Sequence, residues 1–219
     1  MDKYILDWLK VIDGIKNDNT YKASWGKAII ECVLKGDMQR TRNGYIIEEY
    51  FIVQKVLKYY WNMNVFFDIH QDNYLVVERI VSEISAKYNK RRKITKVWYN
   101  KAENFLKRNP EMFEKYIHKI IRTVNKNVAF RFMNLGRNTF DLYELDIEKL
   151  QIRLTKEQVK SIKKNKVLLN DLINYRWVMF LEKFNQKKNL ATKVFLLGQD
   201  NIQSKKIEGF TEYIDLEHN

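Results

Sequence analysis

The side chains that can do chemistry in this chain are few, and most of the informative ones are basic. Arg40, Arg42 and Asn43 crowd one short polar segment, which the turn signal Asn43-Gly44 closes. Arg and Asn are the residues that read guanine and adenine edges with two hydrogen bonds each. Lys22 follows a helix start at Thr20-Tyr21, where free backbone N–H groups suit a phosphate. Arg91, Arg92, Lys93 and Lys96 precede Trp98 and Tyr99, a mixture of charge and aromatic surface that suits nucleic acid. His70 and Gln71 adjoin in a polar loop and complete the set expected to contact DNA. For His70 an ordinary polar contact stays open beside the functional one. Each basic patch also has the plainer reading of a solvated face.

The remaining chemistry is thin. A carboxylate-type metal nuclease needs an acid two residues before a lysine, to hold the ion and activate water. No such triplet occurs. There is no P-loop, no dinucleotide fingerprint, no HExxH and no GxSxG. His70, His118 and His218 are too scattered for a local ligand set. The acids Asp141, Glu144, Asp146 and Glu148 cluster without an accompanying histidine, which favours solvated surface over a metal site. The paired Glu48-Glu49 reads as a response to a helix dipole. The single cysteine, Cys32, lies in an apolar run and reads as a small buried hydrophobe. No catalytic residue and no metal ligand is assigned, and the chain by itself is expected not to cleave DNA.

These side chains need a scaffold, and the composition says which kind. Among 219 residues there are seven glycines and one proline, about a third of the usual share. Turn-dense β architectures are thereby disfavoured. Apolar residues at 45% and aromatics at 14% suffice for a sizeable core and exclude disorder as the main description. Apolar spacing at i, i+3, i+4 and i+7 predicts helices over 4–12, 21–34, 74–88 and 110–124, and a long one over 165–185. A heavily apolar helix is expected from Ile46 or Ile47 to Trp61, followed by a loop from 62 to 73. Thr20 or Asn19, Thr155 and Pro110 mark helix starts, and Gly36 a stop. Alternation in 140–145 and 150–154 predicts a small hairpin, and a second tiny one is compatible with the Asn43-Gly44 turn. The expected fold is mainly α and multi-helical, with one or two small β-hairpins. Between Lys87 and Arg108 nine basic residues face one acid. That shift suggests an N-terminal helical module over 1–88, a basic linker over 89–109 and a C-terminal helical module with a hairpin over 110–219.

Forty Lys and Arg against 27 Asp and Glu give a net charge of +13, which favours a polyanionic partner through counterion release. Codon bias toward Lys, Asn and Ile is the competing source of that charge. No signal-peptide layout and no uncharged run of membrane-spanning length occurs. A cytoplasmic protein without a membrane partner is expected.

Five motifs occur in a fixed order: Asn19-Thr20-Tyr21-Lys22, Leu57-Lys58-Tyr59-Tyr60-Trp61-Asn62, Phe66-Phe67-Asp68-Ile69-His70-Gln71, Leu172-Ile173-Asn174-Tyr175-Arg176-Trp177 and Phe180-Leu181-Glu182-Lys183-Phe184-Asn185. Together they resemble the region preceding the nuclease motif in bacterial HNH endonucleases of restriction-enzyme type, over most of the chain. In that family a segment like Tyr213-Ile214-Asp215-Leu216-Glu217 leads into the ββα-metal motif, whereas this sequence stops at Asn219. The resemblance therefore implies a double-stranded DNA recognition portion. The general-base histidine and the divalent metal would belong to the HNH segment and not to these residues. A stand-alone nucleic-acid-binding or regulatory protein is the alternative, a helical interaction protein with no nucleic-acid role comes third, and a homodimer is left open.

Overall fold

The computed structural model describes residues 2–15, 20–71, 75–90, 96–186 and 189–200. Among these, nine α-helices surround one continuous apolar core, with a small antiparallel sheet at one side. The fold is mainly α, as the composition and periodicity predict.

Helix α1 (Lys3–Asp13) is capped by Asp2, whose carboxylate accepts from the Ile5 N–H at 2.8 Å. Its buried stripe is Ile5, Trp8, Val11 and Ile12. Helix α2 (Tyr21–Lys35) is buried along most of its length and ends at Gly36, whose φ of +79° is the left-handed stop its sequence announces. Helix α3 (Glu49–Trp61) runs into a π-helical turn at Asn62–Phe66, and α4 (Val76–Asn89) follows. Helix α5 is Tyr99–Lys107, and α6 (Pro110–Val124) begins with proline at its first turn. A second π-helical turn at Asn125–Ala129 precedes the small strands β3 (Asn134–Leu135) and β4 (Asn138–Thr139). Helices α7 (Lys156–Lys164), α8 (Lys166–Leu181) and α9 (Leu190–Leu196) are the last elements of the described residues.

The four-stranded sheet has the order β1-β2-β6-β5, from Gln39–Arg40, Gly44–Glu48, Gln151–Thr155 and Glu144–Asp146. The two expected hairpins are both present. They are joined side by side because β2 pairs antiparallel with β6, Gly44 opposite Thr155 and Glu48 opposite Gln151. This pairing corrects one expectation. Residues 46–48 are strand rather than the start of α3, because a partner more than 100 positions away supplies their backbone hydrogen bonds. α3 begins only where the Glu49 N–H donates to Leu150 O at 2.8 Å.

Elements on both sides of residues 89–109 share the core. Trp8 packs edge-on against Phe132 with centroids 5.6 Å apart, and the indole N–H of Trp25 donates to the Tyr143 hydroxyl at 2.9 Å. Within the basic stretch itself, α5 buries Tyr99, Ala102 and Leu106, and Trp61 donates to Val97 O at 2.8 Å. Trp8, Trp25, Trp61 and Trp177 are the largest fully buried side chains.

Candidate nucleic-acid interface

The segment after α2 is short and held from two sides. The Gly36 cap turns the chain out of the helix, and Thr41 N–H donates to Gly44 O at 2.9 Å to close the turn of the β1–β2 hairpin. Gly44 sits so close to β6 that a Cβ there would stand 2.2 Å from the Leu154 carbonyl oxygen. Only glycine permits this approach. Ile47 is buried behind the hairpin, while Arg40, Arg42 and Asn43 are exposed at its tip. Lys55 pairs with Asp37, Arg153 with Glu144 and Asp146, and Arg176 with Asp13. Among the described residues no carboxylate lies within pairing distance of Arg40 or Arg42.

Thr155 carries the strand into α7 through a capping box. Its hydroxyl accepts from Gln158 N–H at 3.1 Å, and the Gln158 side chain accepts from Thr155 N–H at 2.8 Å. Because Thr155 is paired with Gly44, α7 starts beside the hairpin turn. Val159 and Ile162 point inward, whereas Lys156, Lys160 and Lys163 are exposed. A cleft of about 720 Å³ separates the turn from the start of α7, and Asp141 and Glu144 line its far wall. Arg153 holds Glu144 and Asp146 at 2.6 and 2.8 Å, so these acids are occupied surface groups.

The other candidates fall elsewhere. Gln71 is buried and does not face outward. Its amide donates to the Thr20 hydroxyl at 3.0 Å and to Glu78 at 3.3 Å, and its oxygen accepts from Thr20 N–H at 3.3 Å. Thr20 in turn shares a 2.5 Å hydrogen bond with the Tyr60 hydroxyl instead of capping α2 with its side chain. Thr20 and Tyr21 are both buried, so no phosphate can reach that helix start, and Lys22 beside it is half-buried. His70 is exposed, with Nε2 2.9 Å from Asp68 and Nδ1 3.4 Å from the Asn64 amide. The Asn185 side chain, just after α8, clasps the His70 backbone, accepting from its N–H and donating to its carbonyl. Lys96 is exposed. Arg91, Arg92 and Lys93 lie outside the described residues. His118 is exposed beside Glu114, and burial pushes the Cys32 thiol up to about 12, as befits an inert core group.

Two features escaped the sequence reading. One is the basic face of α7, whose i, i+4, i+7 lysines were legible as a pattern but not as neighbours of Arg42. The other is a buried polar cluster. Lys58 Nζ donates to Glu31 at 2.6 Å and to Gly198 O at 2.9 Å, and the Tyr59 hydroxyl donates to Glu31 at 2.5 Å. Lys27 donates to Asn174 at 2.6 Å, and burial lowers its ammonium to about 8. The signal was the spacing of Lys27 and Glu31, charges four residues apart on a helix that is otherwise largely apolar.

Among the described residues, no three His, Cys, Asp or Glu side chains converge as a metal site would require, and no helix is long and apolar enough to cross a membrane. No family model, no curated protein and no solved structure matches this chain.

Proposed function

We propose that this chain binds double-stranded DNA, with the tip of the β1–β2 hairpin reading base edges and the exposed lysines of α7 holding phosphates. One observation carries the reading. Two arginines and an asparagine stand exposed at the turn of the edge hairpin of the four-stranded sheet, without acidic partners among the described residues, in a chain of net charge +13. Arginine and asparagine side chains projecting from such a turn suit base edges in the major groove of B-DNA, where a guanidinium makes the bidentate contact to guanine. Lys156 follows Thr155, the partner of Gly44 at that turn, and Lys160 and Lys163 continue the exposed side of α7, where they would add sequence-independent affinity. The wider context, the recognition portion of a restriction-type HNH endonuclease, rests on the order of the sequence motifs alone.

The test is binding to duplex DNA across a salt series. The logarithm of affinity should fall linearly with that of salt, by roughly 0.9 per phosphate contact. Arg40→Ala with Arg42→Ala should lower affinity for the preferred sequence by about 1–3 kcal/mol per lost base contact and flatten sequence preference. Lys160→Ala should weaken all sequences alike. Absent binding, or affinity indifferent to salt, sinks the reading.

A further inference from the structure

Lys27, Lys35 and Lys58 gather around Glu31, and the fold treats one of them differently. Lys58 has Glu31 at 2.6 Å and Asp200 at 3.2 Å, and Lys35 has Glu31 at 3.0 Å and Asp200 at 2.6 Å. Lys27 forms no ion pair among the described residues, although it is only 5% exposed. Its Nζ donates to the Asn174 amide oxygen at 2.6 Å and lies 5.8 Å from the centre of the Tyr59 ring. Burial lowers its ammonium to about 8. Lys58 acts in the same direction, while Glu31 on its own helix and Asp171 on α8 oppose it. A free amine is therefore populated near neutral pH, where an ordinary lysine is almost wholly protonated. A desolvated lysine of this kind is a nucleophile.

The amine is not sealed in. Lys27 lines a pocket of about 350 Å³ between α2, α8 and the chain that follows α9. Leu34 and Phe195, both partly exposed, give the pocket an apolar side, and the amides of Asn170 and Asn174 give it a polar one. Gly198 leaves the lysine stem uncovered, since a Cβ there would stand 3.4 Å from Lys27 Cε. The second lysine of the pocket, Lys35, is spent on Glu31 and Asp200, so no free cation awaits an anionic ligand. Amide groups both donate and accept, which suits hydroxyl groups. We propose that this pocket binds a small neutral hydroxyaldehyde and that Lys27 captures it as an imine. The Lys27 nitrogen attacks the aldehyde carbon, and the proton that nitrogen loses goes to the carbonyl oxygen, giving a carbinolamine. The nitrogen lone pair then closes the C=N bond as the hydroxyl leaves with the second nitrogen proton. One amine and one aldehyde give one imine and one water, with no oxidant or reductant consumed. The inference is independent of DNA binding.

The experiment treats the folded, unaltered chain with glyceraldehyde and cyanoborohydride, which reduces an imine to a stable secondary amine. Mass spectrometry of the digested chain then maps the labelled lysines. An amine near 8 carries roughly a hundredfold more free base at about pH 7.5 than an ordinary lysine, and burial returns part of that advantage. Lys27 should therefore label at least about tenfold faster than the exposed Lys156, Lys160 and Lys163. The preference should vanish in urea, where the pocket is lost. Propanal, which carries the aldehyde without the hydroxyls, should show a smaller preference for Lys27. Labelling of Lys27 no faster than that of the exposed lysines, a preference that survives unfolding, or one as large for propanal overturns the proposal.

Discussion

At the N-terminal end of α2, the buried Thr20, Tyr60, Gln71 and Glu78 and the half-buried Asn64 hydrogen-bond one another. At its C-terminal end, fifteen residues and about 22 Å away, Arg40, Arg42 and Asn43 stand in solvent, and neither arginine forms an ion pair among the described residues. In the sequence the two groups look alike, polar residues in short irregular segments next to a helix end. What separates them is the packing behind each. The first lies between α2, α3 and α4, where an unsatisfied polar group is costly, and each of these side chains makes at least one hydrogen bond to another. The second is raised on a hairpin whose own sheet partners take up its backbone groups and leave the side chains free. Polar groups that satisfy each other specify the fold, and polar groups that the fold leaves unmatched are available for a ligand. One dipeptide reverses the division, since its buried carboxylate has no hydrogen-bond partner among the described residues and its outer one has. Glu48 reaches Gln39 at the surface at 3.1 Å, whereas Glu49 is wholly buried.

The largest expected effect comes from removing the support of the exposed group. Gly44→Ala drives a methyl into the Leu154 carbonyl and should unseat the hairpin from β6, costing on the order of 3–4 kcal/mol in urea unfolding. DNA affinity should fall with it. If Gly44→Ala leaves both unchanged, the hairpin is not held as described.

Next comes Glu49. Burial pushes its carboxyl up to about 7, against the opposing pull of the Asn125 side chain. Its folded-state value lies above the unfolded one, so the native state keeps the proton longer. Stability should be greatest below about pH 4.5 as far as this group is concerned, fall as pH rises toward 7, and then level off. The full span is about 3 kcal/mol as an upper figure. Glu49→Gln should flatten that slope and stabilise the protein at neutral pH. An unchanged pH–stability profile in the variant would assign the burial cost elsewhere.

The smallest effect sharpens the comparison from the satisfied side. Gln71→Ala leaves Thr20 and Glu78 short of a partner and should cost about 1–3 kcal/mol. Its affinity for DNA should match that of the parent chain. A loss of DNA binding without a loss of stability would return Gln71 to the interface.

Several features could be read directly. The stop at Gly36, the start at Pro110 and the Thr155–Gln158 capping box were legible because each depends on the conformational limits of residues a few positions apart. So were the helical stripes and the alternation of β6. The reading failed where the partner was distant. Ile46 and Ile47 fit a helix as well as a strand, and β6 settled them. Thr20 is an ordinary N-cap residue by type, and Tyr60 with Gln71 drew its hydroxyl away. Gln71 looked like its neighbour His70, yet one is buried and the other exposed.

The sequence by itself determined a mainly helical protein, the positions of most helix ends and a strong excess of positive charge, since these follow from local conformational preference, apolar period and composition. Only the tertiary structure decided that the two hairpins form one sheet, that α7 starts beside the Arg40–Asn43 tip and that Gln71 is buried while its neighbour His70 is exposed. The reason is that exposure and juxtaposition are properties of packing between residues far apart in the chain. A single sequence records which side chains are present, and the fold decides which of them are spent on one another.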